Sequence, residues 1–372
     1  MNFTMRSVLV LCLLLLCPLL QAKTITDILG RQVEIPDSPQ RIILGESRML
    51  YTLALLQPDN PAKNIIGWPG DMARYDAQSW SRYTEKFPQI GQIPLLGNGN
   101  LQTMNAEMLL PLKPDLVILP RLAKSVSNED LLQQTLTRAG IPFIYVDLRI
   151  DLLNNTLPSI HLLGEVLNQP QRAAAFSAFY QQHMDVVRQR IAQYHGKKPT
   201  VMLHLHLGRR DTCCTTAVGG NLGNLLTFAG GENIANGTIN SVYGELSPER
   251  VLAANPDVYI ATGMAGPEGK RFSSLMLGPL VNAAQAQESF DTLIHQEPIL
   301  SHLRAVQTGR AWSMWHNFYL SPYHVVMVEM FAKALYPDRF ADIDPQQTLQ
   351  QLYKQFLPIE FSGIYWSQIS HE

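Results

Sequence analysis

Two stretches of this chain, residues 105–120 (NAEMLLPLKPDLVILP) and 247–262 (SPERVLAANPDVYIAT), align without a gap. Each opens on a residue suited to capping a helix, Asn105 or Ser247, and each carries a glutamate at the second helical position, Glu107 or Glu249. A short amphipathic helix follows. Then come a Pro-Asp turn (Pro114-Asp115 or Pro256-Asp257) and an apolar run. Cap, helix, turn and fully buried strand is the order of one layer of a parallel α/β sheet. Two copies predict two lobes of one architecture. They also set an acidic residue at an equivalent surface point on each lobe.

The remainder of the chain reads in the same grammar. Residues 24–35 form a hairpin around Leu29-Gly30-Arg31. Strands are expected at 41–45, 65–67, 115–119 and 142–148, with helices near 48–57 and 129–139, which is the βαβα order of a parallel sheet. An aromatic insertion at 68–93 carries Trp68, Tyr75, Trp80, Tyr83 and Phe87. From Ala173 the apolar positions Phe176, Tyr180, Met184, Val187, Ile191 and Tyr194 recur at steps of three and four, so this is one amphipathic helix. Gln169-Pro170 opens it and Gly196 closes it. Beyond it come a strand at 200–207, a Gly-rich helix start at 219–228, the second repeat copy and a last strand at 311–315. Val325, Val328, Ala332 and Leu335 then stripe a helix.

At 372 residues the chain is long enough for two domains, and 46% hydrophobic against 16% charged residues is ordinary globular composition. Lys+Arg of 29 against Asp+Glu of 31 gives a net charge of −2, without the basic excess of a nucleic-acid binder. Arg6 is the only charge before Lys23, and residues 8–20 are a nearly unbroken apolar run, too short for a comfortable membrane span. Residues 1–22 are read as a secretory signal peptide cleaved after Ala22. Leu15 and Leu16 precede Cys17 where a lipoprotein signal would need small residues, so the expected product is soluble rather than lipid-anchored. Cys213 and Cys214 are the two mature cysteines, either buried thiols or a vicinal disulfide formed in an oxidising compartment.

DILGRQVEIP and RII near the mature N-terminus, the two Glu…Pro-Asp units, Gly230-Gly231-Glu232-Asn233-Ile234, and 303–312 (LRAVQTGRAW) stand in one order along the chain. In that order they resemble the periplasmic substrate-binding proteins of iron-siderophore and cobalamin ABC importers. The resemblance implies an α/β fold of two Rossmann-like lobes with parallel sheets, joined by a single long helix, with the ligand cleft between them. It divides the chain into an N-terminal lobe at 23–168, an interlobe helix at 169–196 and a C-terminal lobe at 197–372. It implies periplasmic localisation, small closure, and one glutamate per lobe docked on arginines of the membrane permease. Glu107 and Glu249 match those positions.

In open parallel sheets, ligands sit beyond the carboxyl ends of the strands. Arg48, Arg121, Arg149, Arg209 and Arg210 follow four of the expected strands, and Tyr243, Met264, His316 and Tyr319 complete the candidate set. Converging guanidinium groups suit an anion, since their contacts are planar, bidentate and permanently charged. Trp68, with Tyr75, Trp80 and Tyr83, could flank a large ligand. A ferric siderophore or similar anionic metal complex is the expected cargo; haem, cobalamin or a metal oxyanion is the alternative. His204 and His206, two apart on the expected strand, would share one face, but no third ligand is evident and no protein-bound metal or cofactor is expected. The chain lacks a Gly-x-Ser-x-Gly elbow, and residues 219–223 (GGNLG) lack the strand a dinucleotide loop needs, so an enzyme is not expected.

Overall fold

A computed structural model describes residues 22–99, 103–104, 106–125, 129–209, 213–266 and 274–370. The signal-peptide residues 1–21, Asn105 and Arg210 lie outside the described residues. In the first lobe, strands Ile65–Gly67, Ile42–Leu44, Leu116–Pro120 and Phe143–Val146 form one parallel sheet in that spatial order. In the second, the order is Trp366–Gln368, Ala311–Trp315, Val258–Gly263, Thr200–His204 and Glu232–Asn233. Only the Trp366–Gln368 edge of that sheet is antiparallel. Every residue of Ile42–Leu44, Leu116–Pro120 and Val258–Gly263 is buried. These strands are buried on both faces, which is why their sequences read as apolar runs and not as alternation.

The long helix is Pro170–Ala192, about 35 Å from end to end at the α-helical rise. Pro170 occupies its first turn, where the missing N–H costs nothing. Ala173, Phe176, Tyr180, Met184 and Val187 are its buried stripe. That stripe packs on the helix Leu152–Val166 of the first lobe and on His324–Leu335 of the second. Tyr180 Oη meets His324 Nε2 at 2.8 Å, and His183 Nδ1 meets Glu329 Oε1 at 2.7 Å. A second tie runs through the aromatic insertion. In its helix Ala77–Lys86, Gln78, Arg82 and Lys86 share one face at four-residue spacing. Gln78 Oε1 accepts from Leu280 N at 3.2 Å, Arg82 donates to Glu360 O at 2.9 Å and to Ser362 Oγ, and Lys86 donates to Pro358 O. The long helix and the insertion thus each tie the lobes together.

The repeated aspartate has the same task in both copies. Asp115 accepts from Gln40 N at 2.7 Å and Arg41 N at 3.0 Å, just ahead of the neighbouring strand Ile42–Leu44. Asp257 accepts from Thr200 N at 3.0 Å and Thr200 Oγ1 at 2.9 Å, at the start of its neighbour Thr200–His204. Each carboxylate thus fixes the register at which two parallel strands begin. The helix before each Pro-Asp turn ends on a left-handed residue, Lys113 (φ 46°) or Asn255 (φ 39°).

Three expectations need correction. The helix Leu152–Val166 went unread, because Pro158 inside it interrupts the pattern. The strand at 311–315 is not the last, since Trp366–Gln368 adds an edge strand. The strand at 200–207 ends at His204. His206 (φ 57°) and Gly208 (φ 80°) turn the chain left-handed, so His204 and His206 do not share a strand face.

Candidate functional site

The carboxyl ends of the parallel strands meet at one cavity of about 310 Å³. Glu46 follows Ile42–Leu44, Pro120 ends Leu116–Pro120 and Arg149 follows Phe143–Val146. From the other lobe, His206 follows Thr200–His204, Met264 follows Val258–Gly263 and His316 follows Ala311–Trp315. Asn317, Tyr319 and Leu320 come from the 3-10 turn His316–Leu320 that continues the last of these strands.

The first-lobe wall is ionic. Glu46 Oε1 accepts from Arg48 Nη2 at 2.7 Å and from Arg149 Nη1 at 3.0 Å. Arg48 Nε also donates to Asp71 Oδ2 at 2.7 Å, and its guanidinium lies 5.4 Å from the Tyr75 ring centroid. Asp71 Oδ1 accepts from Ser47 N at 2.6 Å and Ser47 Oγ at 2.7 Å, which ties the insertion to the first strand's exit. Burial works against the Arg48 charge, but Glu46 and Asp71 outweigh burial and Arg149, so its pKa is raised. Arg149 is raised too, against burial, by Tyr319 and Glu46.

Asp147 builds the turn that presents Arg149. Its carboxylate accepts from Arg149 N, Ile150 N and Asp151 N at 3.1, 2.7 and 3.1 Å, and from Asn155 Nδ2 at 2.8 Å. Burial opposes this carboxylate's charge, yet Asn155 and the three backbone N–H groups hold its pKa below the usual range. Asn221, at the start of a second-lobe helix, donates Nδ2 to Arg149 O at 2.6 Å and its backbone N to Ile150 O at 2.9 Å. The arginine turn is thereby fixed from both lobes.

Among the described residues, the second-lobe wall presents no carboxylate or guanidinium to the cavity. The His206 and His316 rings lie 3.7 Å apart between centroids. Thr262 Oγ1 meets His316 Nδ1 at 2.8 Å and accepts from His206 N at 3.4 Å. Burial pushes His316 well below its ordinary pKa, and His206, Arg149, Arg48 and Arg209 push the same way, so this imidazole is uncharged at neutral pH. Asn317 is fully buried, and neither its Nδ2 nor its Oδ1 has a hydrogen-bond partner. A buried amide left in that state costs roughly 1–3 kcal/mol, which a ligand able to pair with it recovers.

Arg48, Arg149, Met264, His316 and Tyr319 of the predicted set line the cavity. Arg121 lines a small annex beside it and donates to Asp147 Oδ2 at 3.1 Å. Tyr243 is exposed and lies close enough to Tyr319 and Arg149 to feel both. Arg209 is exposed and does not line the cavity, although His316 feels its charge. Trp68 is a correction: it is fully buried, edge-on to Trp80 at 5.9 Å, and cannot reach a ligand. Its indole fills the space where the insertion joins the first-lobe core. Tyr83 is buried likewise, and only Tyr75 of the insertion aromatics lines the cavity. Sequence reasoning did not single out Asp71 or Asn317, and noted Glu46 only as a residue at a strand end. Glu46 and Asn317 adjoin strand ends and were findable by position; Asp71 sits in the insertion with no local signal. Glu107 and Glu249 are exposed at helix starts and do not line the cavity. Ser247 caps the Glu249 helix by accepting from Arg250 N.

Cys213 and Cys214 are paired in a vicinal disulfide. Among the described residues, no helix is long and apolar enough to cross a membrane.

A family model described as periplasmic binding protein matches residues 52–314. The molybdate-binding protein MolA of Haemophilus influenzae is 26% identical over 95% of this chain and 96% of its own length. The vitamin B12-binding protein of Salmonella typhimurium is 28% identical over 58% of this chain and 75% of its own. Among solved structures, the TroA-like periplasmic binding protein FepB from Veillonella parvula superposes with a TM-score of 0.85 at 28% identity, covering 93% of this chain and 99% of that one.

Proposed function

The chain belongs to the periplasmic binding protein family, and from that premise we propose that it captures an anionic metal complex, a ferric siderophore or close analogue, between lobes spanning residues 23–168 and 197–372. It is a periplasmic solute-binding protein that serves an ABC importer. The observation that carries the finer reading is the pairing of unlike walls. Arg48 and Arg149, held by Glu46, face His206 and His316 across one cavity. Guanidinium groups attract an anion. In the tautomer whose Nδ1–H donates to Thr262, the neutral His316 offers an Nε2 lone pair, which suits a metal centre. A ligand that uses both walls is an anion carrying a metal.

At about 310 Å³ the cavity lies at the small end of the roughly 300–1,000 Å³ usual for ligand sites. That favours a compact chelate over a corrin or porphyrin ring. A metal oxyanion is the second reading, supported by the molybdate-binding relative that spans 95% of this chain.

Calorimetric titration of the mature protein with ferric catecholate and ferric hydroxycarboxylate chelates, molybdate, haem and cobalamin decides among these. A ferric chelate is expected to bind tightest, with its charge-transfer absorption shifting as an imidazole enters the coordination sphere. Saturation by molybdate alone would replace the chelate with an oxyanion. Binding of none of them would overturn both readings.

Delivery requires docking, and we assign it to Glu107 and Glu249. Both are exposed at helix starts in equivalent copies of the repeat. The Glu249 carboxylate is held below its usual pKa by its own backbone N–H and by the Ser247 hydroxyl, so it stays charged. The double Glu107→Arg, Glu249→Arg variant is expected to abolish uptake in cells and leave ligand affinity unchanged, since like charges would then face the permease. Full uptake by that variant would refute the assignment.

A further inference from the structure

Behind the second-lobe wall, outside the cavity, a ring nitrogen of His204 and the sulfurs of Cys213 and Cys214 all lie within 4.8 Å of one another. His204 closes its strand and is buried, and its Nδ1 meets the Tyr259 hydroxyl at 2.7 Å. Such a bond fixes the ring and its tautomer, the usual second-shell support of a metal-binding imidazole. These are the partners His204 lacked in sequence.

As the structure stands the two sulfurs are bonded to each other and neither is a thiolate. We propose that reduction of the Cys213–Cys214 disulfide opens a site for one thiophilic cation of the Cu(I), Zn(II) or Cd(II) class, held by both thiolates and His204. The electrons come from a dithiol reductant. Its two thiols become a disulfide, the Cys213–Cys214 bond takes up two electrons and two protons, and each cysteine thiol gives its proton to solvent when the metal binds. Soft sulfur donors with one imidazole match this class of cation. The backbone holds the sulfurs together once their bond is gone. Cys214 exchanges both backbone hydrogen bonds with Leu246 at 3.2 Å, and Thr215 O accepts from Leu205 N at 2.7 Å. Cys214 is buried while Cys213 is half-buried, so a cation enters from the Cys213 side.

The test uses the mature wild-type protein, reduced anaerobically with a dithiol, freed of excess reductant and titrated with Cd(II). Ultraviolet thiolate-to-cadmium absorption is expected to saturate at one ion per reduced chain, with no such band from the oxidised protein. His204→Gln should weaken binding by roughly tenfold or more. Cadmium NMR of the reduced wild-type protein asks the same question without a variant, since its chemical shift separates a sulfur–nitrogen donor set from sulfur and oxygen alone. Identical titrations of oxidised and reduced protein, or a cadmium shift with no nitrogen donor, would overturn the site. Neither result depends on what the cavity binds.

Discussion

The two lobes share a repeated unit, yet they bring opposite chemistry to the cavity between them. The first lobe contributes charge: Glu46 and Asp71 against Arg48 and Arg149, each arginine already paired. The second, among the described residues, contributes no carboxylate or guanidinium: it brings the close His206–His316 pair and an Asn317 amide without a partner. The difference teaches that strand ends on one scaffold are interchangeable mounting points. Pre-paired arginines keep their geometry before ligand arrives, so little ordering is lost on binding. An unpaired amide waits for its partner. On the proposed reading, the first wall supplies attraction and the second supplies fit.

The sharpest way to separate the lobes is acid. His204 and His324 have pKa values lowered to about 4, by burial first, and His316 is pushed well below its ordinary value by burial and neighbouring cations. All three belong to the second lobe, whereas His161, the first lobe's histidine, is exposed. An unfolded histidine titrates near 6.5, so below about that pH the unfolded chain takes up protons that the folded chain refuses. Their contribution to stability is whole above about pH 6.5 and is lost as pH falls toward about 4, at up to roughly 1.4 kcal/mol per pH unit for each histidine. Denaturant unfolding at about pH 7 and pH 5 should show a loss of several kcal/mol. Hydrogen exchange should show second-lobe strands losing protection first. Equal stability at both pH values, or first-lobe strands opening first, would break the contrast.

The ionic wall is tested by changing one charge at a time. Arg149→Ala should weaken an anionic ligand by roughly tenfold to a hundredfold, the worth of a charge-assisted hydrogen bond. Glu46→Gln acts in the opposite direction. It removes the carboxylate that both arginines share and should tighten binding of an anion. A neutral ligand would gain nothing from Glu46→Gln. Affinities from fluorescence titration therefore report the sign of the ligand's charge as well as the site.

Much of the scaffold was legible in the sequence because its signals are local. The repeat, the buried apolar strands and the three–four stripe of Pro170–Ala192 each depend on neighbours in the chain. Arg48 and Arg149 were found by position, since residues after parallel strands face the ligand site, whereas Arg209 by the same rule does not line the cavity. What stayed hidden depends on distant pairing. Nothing around Asp71 shows that it will reach back to Ser47 and Arg48. Trp68 reads as a binding aromatic until the core closes over it. His206 seemed to share a strand with His204, and only the left-handed turn sends the two imidazoles to different sites.

The repeat carries a smaller contrast of the same kind. Asp115 accepts from two backbone N–H groups, while Asp257 accepts from Thr200 N, Thr200 Oγ1 and, at 2.7 Å, Arg304 Nη2. The Thr200 backbone N–H leads the causes that hold the Asp257 pKa below its usual value. Alanine at either position should cost about 1–3 kcal/mol, with Asp257→Ala the costlier because it strands one more donor. Urea unfolding of the two variants checks the ranking, and equal losses would mean that Arg304 adds nothing.

The smallest effect comes from the residue just before each Pro-Asp turn, Lys113 after the 3-10 turn Leu110–Leu112 and Asn255 after the helix Pro248–Ala254. Lys113 and Asn255 both adopt left-handed backbone, at φ 46° and 39°. For most L-residues this conformation costs about 1–2 kcal/mol, because Cβ crowds the following carbonyl oxygen. Asparagine tolerates it better, since its short amide bonds locally, whereas lysine has no such means. The first-lobe helix is also shorter, Ala106–Leu109 against Pro248–Ala254. Lys113→Gly should therefore stabilise the protein by up to about 1 kcal/mol, after allowing for the freer unfolded chain that glycine brings. Asn255→Gly should do less. A raised urea midpoint for Lys113→Gly alone would show that the first copy carries strain the second has relieved by sequence. Equal shifts would place the difference between the copies in helix length instead.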